Sequence, residues 1–554
     1  MSQSTANRRQ KTVAAPIARV GRRCAARWRL AGIALVALLV TGGCDSLRQW
    51  RHNGFKVGPN YHRPPAAVAA DWIDSDDPRF NKQSSPDPAW WLAFNDPPLN
   101  DLIDAAYRQN LDLQTAGMRI LEARAQRNIA AGNLLPQSQQ ALAAYAHAQI
   151  PNNLGLPLPN NTFNIWATGF NATWELDFWG RYRRQVASAN AELDASVDGY
   201  NDAIVLLLAE VADSYVQFRT YQQRLAFARQ NVETQRGSLR LAEERFRNGT
   251  TTQLDVQQAR SNLAQTQSLI PPLETGLRQS CNQLCFLLGE PPSDLAPKLG
   301  SGPIPSAPSE LAIGIPAELL RRRPDVRRAE RLVAAQCEQI GIAEADFFPR
   351  FGLFGFVGYT GEDWKNLFGG KSFTGLILPS FQWNILNYGR IRNNVRAQEA
   401  RFRQTVLEYQ QTVLRANREA EDALVAFVRS QEQAQRLQES VDAAQASVEL
   451  VLAQYEAGLT DFNRVYNTES LLAQQQEQLA SAQGAIALNL INVYQALGGG
   501  WQAAHAGATR ATVAADAPAP ESEAIPAPEP SKQPATADEA AENEQIQFPS
   551  DDEK

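Results

Sequence analysis

Bond-making chemistry in this 554-residue chain is confined to one cysteine near its start. Cys44 follows Thr41-Gly42-Gly43 at the end of an apolar run, Leu30 to Val40, and that run follows eight basic residues between Arg8 and Arg29 with no acid ahead of Cys44. Basic, apolar, then small is the order of an export signal, and the run is too short to span a bilayer at about 20 residues per helix. Glycines before Cys44 admit a processing peptidase to the backbone, and its thiol is the only side chain there able to take a diacylglycerol thioether. Cys44 is therefore the expected lipidation site and residues 1–43 a cleaved signal peptide; the alternative is a plain signal peptide with an incidental cysteine.

Elsewhere the reactive groups do not converge. Cys281 and Cys285 lie one helical turn apart among Leu284, Leu287 and Leu288, which reads as buried apolar packing, and with Cys337 they imply no disulfide framework. His52, His62, His147 and His505 show no ligand spacing, so no metal or cofactor is expected. Gly370-Lys371-Ser372 looks like the end of a phosphate loop, but Lys365 stands where that loop requires glycine, and the segment reads as a hairpin loop. No nucleophile and base come together, so no enzyme is expected. The formal net charge of −6 contains eight cations in the signal peptide and, from Ala511 to Lys554, eleven acids against two lysines. The body between them has no basic excess for a nucleic-acid partner, and the acidic, Pro/Ala-rich tail has too few large apolar residues to order itself.

What the chain does specify is architecture. Trp179-Gly180-Arg181 recurs as Tyr388-Gly389-Arg390, and the same offset of 209 carries Trp174 onto Trp383, Gly249 onto Gly458, Thr251 onto Thr460 and Leu288-Gly289 onto Leu497-Gly498. Upstream, Asp112, Ala116 and Pro136 match Asp325, Ala329 and Pro349 at an offset of 213, which places a four-residue length difference in the hairpin. Two copies of one unit make the chain. After Gly180 apolar residues recur every seventh position at Ile204, Val211, Phe218, Leu225, Val232, Leu239 and Phe246; the second copy has Val413, Ala420, Phe427, Ala434, Val441, Val448 and Tyr455. A seven-residue seam specifies coiled-coil packing, over helices about 100 Å long at 1.5 Å per residue. Beyond Gly249 and Gly458 the period resumes at Val256, Leu263, Ile270, Leu277 and Leu284 and at Val465, Leu472, Leu479, Ile486 and Val493. Each half is thus a long antiparallel helical hairpin, with Pro271-Pro272 predicting a break in the first return helix that Ala480-Ser481 omits.

Four other segments, about 139–150, 163–174, 351–359 and 373–383, alternate apolar with small or polar residues and carry aromatic ends, the pattern of membrane β-strands. Four strands cannot close a barrel, and lipid tolerates no open sheet edge. Three chains contributing twelve strands satisfy both conditions. An ordinary soluble hairpin packed on helices is the alternative. The fold class is mainly α with a membrane β-barrel.

Val57-Gly58-Pro59-Asn60-Tyr61, the segment from Pro316 through Arg321-Arg322-Arg323-Pro324-Asp325-Val326-Arg327-Arg328 to Glu330, Phe348-Pro349, and the helix entries at Gly180 and Gly389 together resemble the TolC-type outer-membrane factors. The resemblance is to the lipoprotein branch typified by OprM and NodT-like efflux proteins, and it covers residues 44 to about 500. It implies a homotrimer, lipid-anchored in the bacterial outer membrane and extending into the periplasm as a helical tunnel. It further implies a periplasmic adaptor docking at the hairpin tips, here Gly249, Thr251, Gly458 and Thr460, and a proton-driven inner-membrane transporter behind the adaptor. The duct would be a passive exit for drugs or other small toxic compounds; protein or peptide secretion and a non-conducting lipid-anchored scaffold are the alternatives. Some members carry an acidic ring nine residues after the tip glycine, but Gln258 and Asn467 stand there, so Asp255 and Asp461 are the candidate gate. The corresponding division is a signal peptide 1–43, a lipidated N-terminal and equatorial segment 44–97, a first repeat 98–289, an equatorial linker 290–316, a second repeat 317–498, and a tail 499–554.

Overall fold

The computed structural model describes residues 50–81, 88–149, 151, 162–308, 311–314, 316 and 321–503. The signal peptide, Cys44 and the acidic tail lie outside the described residues. In chain order the elements are β1 (Phe80–Asn81), α1 (Pro97–Gln109), α2 (Leu111–Gly132), β2 (Ser138–Gln149), β3 (Thr162–Leu176), α3 (Arg181–Arg247), α4 (Gln253–Ser268), α5 (Ile270–Leu287), α6 (Ala296–Leu299), β4 (Leu311–Ala312), α7 (Pro324–Ala345), β5 (Arg350–Gly361), β6 (Phe373–Gln382), α8 (Arg390–Glu456) and α9 (Phe462–Ala496). The sequence α2-β2-β3-α3-α4/α5 is repeated as α7-β5-β6-α8-α9.

Helices α3 and α8 are each 67 residues long, about 100 Å at 1.5 Å per residue. No helix among the described residues is long and apolar enough to cross a membrane. The seven-residue series of α8 is buried from Val413 to Tyr455, covered at Val413 by α7 and towards the turn by α9. In α3 the series is buried through Val232, but Phe246 beside the turn is 44% exposed, whereas its counterpart Tyr455 is buried against Phe462. Pro271 and Pro272 fall in the first turn of α5, which begins just after α4 ends, whereas α9 runs unbroken through Ala480-Ser481. A proline at the start of a helix loses no ladder hydrogen bond, so the break is the conformation those residues favour.

The four long strands form one antiparallel sheet in the order β2-β3-β5-β6. Pairing places Tyr145, Trp166, Phe170, Trp174, Val357, Tyr359, Ile377 and Phe381 on one face, and Phe170, Ile377 and Phe381 are more than 60% exposed on it. The registers locate the length difference between the copies. Ser138 pairs with Thr173 and Arg350 with Gln382, so the first strands of the two hairpins, β2 and β5, are related by 212 residues and the second strands, β3 and β6, by 209. Three of the four residues therefore lie in the connecting loop, and the fourth is Gln137, inserted between Pro136 and the strand. Its amide compensates by accepting from Glu175 N at 2.6 Å and donating to Asn133 O at 2.8 Å.

The largest core gathers Trp90, Phe94, Leu99, Ile103, Ile204, Leu208, Tyr215, Leu284, Phe427 and Leu490, where the chain's N-terminal segment meets both helical hairpins. Trp90 stacks on Tyr494 at 5.2 Å. Here β1 pairs in parallel with β4 of the mid-chain linker, which ties the two connecting segments together.

Candidate functional site

Residues 50–61 form a strap over the corner where β3 becomes α3. Asp177 opens that helix by accepting from the backbone N–H groups of Tyr182 and Arg183, both at 3.0 Å, and from Arg183 Nε at 2.9 Å. The free nitrogens of Arg183 donate to Gly54 O and Phe55 O, each at 2.7 Å. Arg184 is fully buried and donates to Val57 O at 2.5 Å, Gly58 O at 2.8 Å and Glu338 Oε2 at 2.7 Å. A Cβ at Gly58 would lie 2.5 Å from Gly341 Cα, and one at Gly341 would lie 2.2 Å from Arg184 Cδ; this close approach is why Val57-Gly58-Pro59 carries a glycine. Trp50 stacks on Phe178 at 5.2 Å, and Trp179 stacks on Phe348 at 4.5 Å while donating to Pro349 O at 2.8 Å. The strap then crosses α7 and α8, with Tyr61 and Arg63 bonded to Glu330 at 3.2 and 3.1 Å.

The arginine-rich segment before α7 binds the two repeats to each other. Pro324 occupies the first turn, where its missing N–H costs nothing. Arg323 donates at 2.7 Å to Ala496 O at the end of α9 and at 2.7 Å to Glu419 of α8, while Asp325 holds it at 3.0 and 2.8 Å. Arg327 reaches Asp198 of α3 at 3.0 Å. Beside this network a cleft of about 620 Å³ is lined by Asp202, Arg323, Asp325, Arg415, Glu419 and Asp422 among others. Burial, and next the Asp325 charge, push Asp202 up to about 6.

At the far ends of the hairpins, Gly249 and Gly458 turn the chain with φ of +73° and +76°, the left-handed conformation that glycine alone adopts without strain. Thr251 and Thr252 donate their hydroxyls to Asp255 in the first turn of α4. Asp461 caps α9, accepting from Arg464 N at 3.1 Å, and Leu459 beside Thr460 is 79% exposed. The two tips are joined: Arg245 donates to Tyr455 O and its guanidinium lies 4.8 Å from the Tyr455 ring, which packs edge-on against Phe462 at 5.4 Å. Burial raises the Tyr455 hydroxyl above its ordinary range, and the Asp255 charge adds to this more weakly. Both acids thus hold helix starts, and Arg245, which sequence reading passed over, meets Tyr455, read there only as a seam residue, in the contact between tips.

A second feature passed over is a buried polar layer behind the tips. Glu469 is 3% exposed; it accepts from Ser238 Oγ and, at 3.0 Å, from Asn262 Nδ2, and burial raises its carboxyl above the ordinary glutamate range. Asn231 donates to Gln476 Oε1 at 2.9 Å one heptad further along. Glu469 and Gln476 sit four residues beyond Val465 and Leu472, at the second seam position, which a coiled coil ordinarily fills with an apolar residue. A polar residue at such a position was the available signal.

Two copies of one helix–hairpin–helix unit meeting at an arginine-rich waist match a known pattern twice over. The profile of the outer membrane efflux protein family matches residues 102–290 and again 315–499. The chain belongs to that family. It is 32% identical to the pyoverdine export outer membrane protein OpmQ of Pseudomonas putida, over 76% of this chain and 90% of that one. It is 30% identical to the toluene efflux pump outer membrane protein TtgF of Pseudomonas putida, over 81% and 95%. Among solved structures, the outer-membrane channel OprN superposes with a TM-score of 0.77 at 31% identity, covering 80% of this chain and all but 1% of the other. This outer membrane efflux protein therefore has the TolC-type fold, and its place is the outer membrane.

Proposed function

We propose that three copies close the sheet into a twelve-stranded barrel and form a passive exit duct, through which a pump in the inner membrane expels small toxic compounds by way of a periplasmic adaptor. The observation that carries this reading is a sheet with one apolar exposed face and two unpaired edges, β2 and β6, which lipid does not tolerate unless the edges close on further copies. The repeat supports one way of closing them. Trp179 of the first repeat is covered by Phe348 and Pro349 of the second; its counterpart Tyr388 is 98% exposed, and so, at 65%, is Leu135, the counterpart of Phe348. Likewise Asp198 and Val205 of α3 are 3% and 4% exposed, while their counterparts Leu407 and Leu414 on α8 are 64% and 56%. A second copy's first repeat fits where this chain's second repeat lies bare.

Gly249, Thr251, Gly458 and Thr460 are assigned to adaptor docking, because the turns leave backbone and small side chains uncovered. Asp255 and Asp461 are assigned to the gate, with Asp255 acting through the Arg245–Tyr455 contact that holds the tips together. Cys44 is assigned to the lipid anchor. Toluene efflux by a relative supports a small-molecule cargo. Single-channel conductance of the purified protein in planar bilayers tests the duct: R245A together with D255A is expected to raise open probability at least tenfold over the parent. A folded trimer that stays silent in both forms refutes conduction, and unchanged dye accumulation in a deletion strain that loses protein secretion reassigns the cargo.

A further inference from the structure

The strap occurs once, but the corner it covers occurs twice. At the first corner the strap's carbonyls satisfy Arg183, and Trp50 covers Phe178. At the second, where β6 becomes α8, the counterpart of Arg183 is Arg392. It is exposed and makes no hydrogen bond or ion pair among the described residues, and the same holds for Arg396 one turn along. Spacing of four residues puts both guanidiniums on one helix face, with Glu399 the nearest acid on that helix. Asp177, which neutralises Arg183, is replaced by Leu386, 83% exposed, next to Ile385 at 72%. By the repeat, the contacts a neighbouring copy would reproduce here are those of α7 and β5 on the first corner, and at that end of α3 they reach Trp179 and Arg181, while Arg183, the counterpart of Arg392, is held by Asp177 and the strap.

The direction this face looks follows from the strap. Trp50 is six residues from Cys44, a reach of at most about 20 Å at 3.3–3.6 Å per residue, so a lipid on Cys44 keeps the strap's side of the corner at the membrane surface. An exposed apolar knuckle just beyond the end of β6, followed within two turns by two guanidiniums without a bonded partner, matches a phospholipid: acyl chain first, phosphate after. Arginine suits phosphate because its fork donates two parallel hydrogen bonds.

We propose that the corner between β6 and α8 is a phospholipid site, in which Arg392 and Arg396 hold an anionic headgroup of the periplasmic leaflet while Ile385 and Leu386 lie against its chains. The inference rests on the barrel reading above and adds to it a defined lipid contact at every second corner of the ring. The test uses the full chain in phosphatidylcholine vesicles with and without phosphatidylglycerol, followed by native mass spectrometry of the extracted trimer. R392Q with R396Q is expected to weaken phosphatidylglycerol retention roughly thirty-fold, about fivefold for each arginine at a charged surface, with phosphatidylcholine unaffected; R392K with R396K loses less than tenfold. A glutamine variant that forms the trimer and retains phosphatidylglycerol like the parent overturns the lipid site and leaves the barrel standing. A parent protein that stays monomeric in vesicles overturns the barrel, and the site with it.

Discussion

Replacing Arg184 by methionine keeps the apolar stem and removes every donor. Val57 O and Gly58 O then lose their partners, and Glu338, whose side chain is 14% exposed, loses its counter-charge. Hydrogen bonds from a charged group are worth about 1.5–3 kcal/mol each, but the three share one side chain and do not add. The cost of leaving one member of a buried pair alone, about 3–5 kcal/mol, is the better measure. That energy falls on the strap, which is held to the corner mainly by Arg183 and Arg184, and not on the distant tips. Val57 N–H, bonded to Trp179 O at 3.0 Å, is the reporter: local opening governs its hydrogen exchange, and about 1.4 kcal/mol is a factor of ten. Arg184→Met is expected to speed exchange over residues 54–61 by at least about a hundredfold, with exchange at the tips unchanged. If the strap exchanges as in the parent, the clamp is not what holds it and the reasoning fails.

Three further outcomes follow from the same contacts. Glu469 binds its proton more tightly folded than unfolded, so stability declines as pH rises from the ordinary glutamate range towards its raised folded value; Glu469→Gln should be more stable than the parent at neutral pH and flatten that dependence, and thermal melts across pH would contradict this by showing a loss at neutral pH. Asn171 pairs with Phe356 inside the chain, and the repeat carries that pair to Ser380 of one copy and Ala144 of the next, so Ser380→Cys with Ala144→Cys should give disulfide-linked trimers on a denaturing gel while the pair shifted to Ala143 does not. Gly180 and Gly389 share φ near +80°, but a Cβ at Gly180 would lie 2.5 Å from Lys56 whereas at Gly389 only Asn393 lies within 4 Å, at 3.8 Å. Alanine at Gly389 therefore costs only the left-handed strain of about 1–2 kcal/mol, and alanine at Gly180 lowers Tm further.

Much of this architecture was legible because repetition and periodicity are properties of spacing. An offset of 209 and a seven-residue seam need no knowledge of contacts, and Trp174 and Trp383 duly make equivalent bonds, to Leu134 O and Phe347 O, which are themselves one repeat apart. The alternation in the strands likewise fixes which side chains share a face. What spacing does not encode is pairing between distant residues. Nothing local marks Gly341 as the floor under Arg184, or Arg245 as the partner of Tyr455. Glu469 was visible as an acid in a position ordinarily apolar, but its meaning depends on Ser238 and Asn262 arriving from two other helices. Gln137 was hidden for a different reason: one inserted residue leaves the hydrophobic pattern intact on both sides and shows only in the pairing register.

The interrupted return of the first hairpin, α4 then α5, beside the continuous α9 of the second has a mechanical consequence. In a ring built from three such chains, compliant struts alternate with stiff ones. A uniform ring dilates by sharing strain equally among all members. An alternating one concentrates bending at the prolines and swings its rigid members as levers, so the aperture should widen as a triangle before it rounds into a circle.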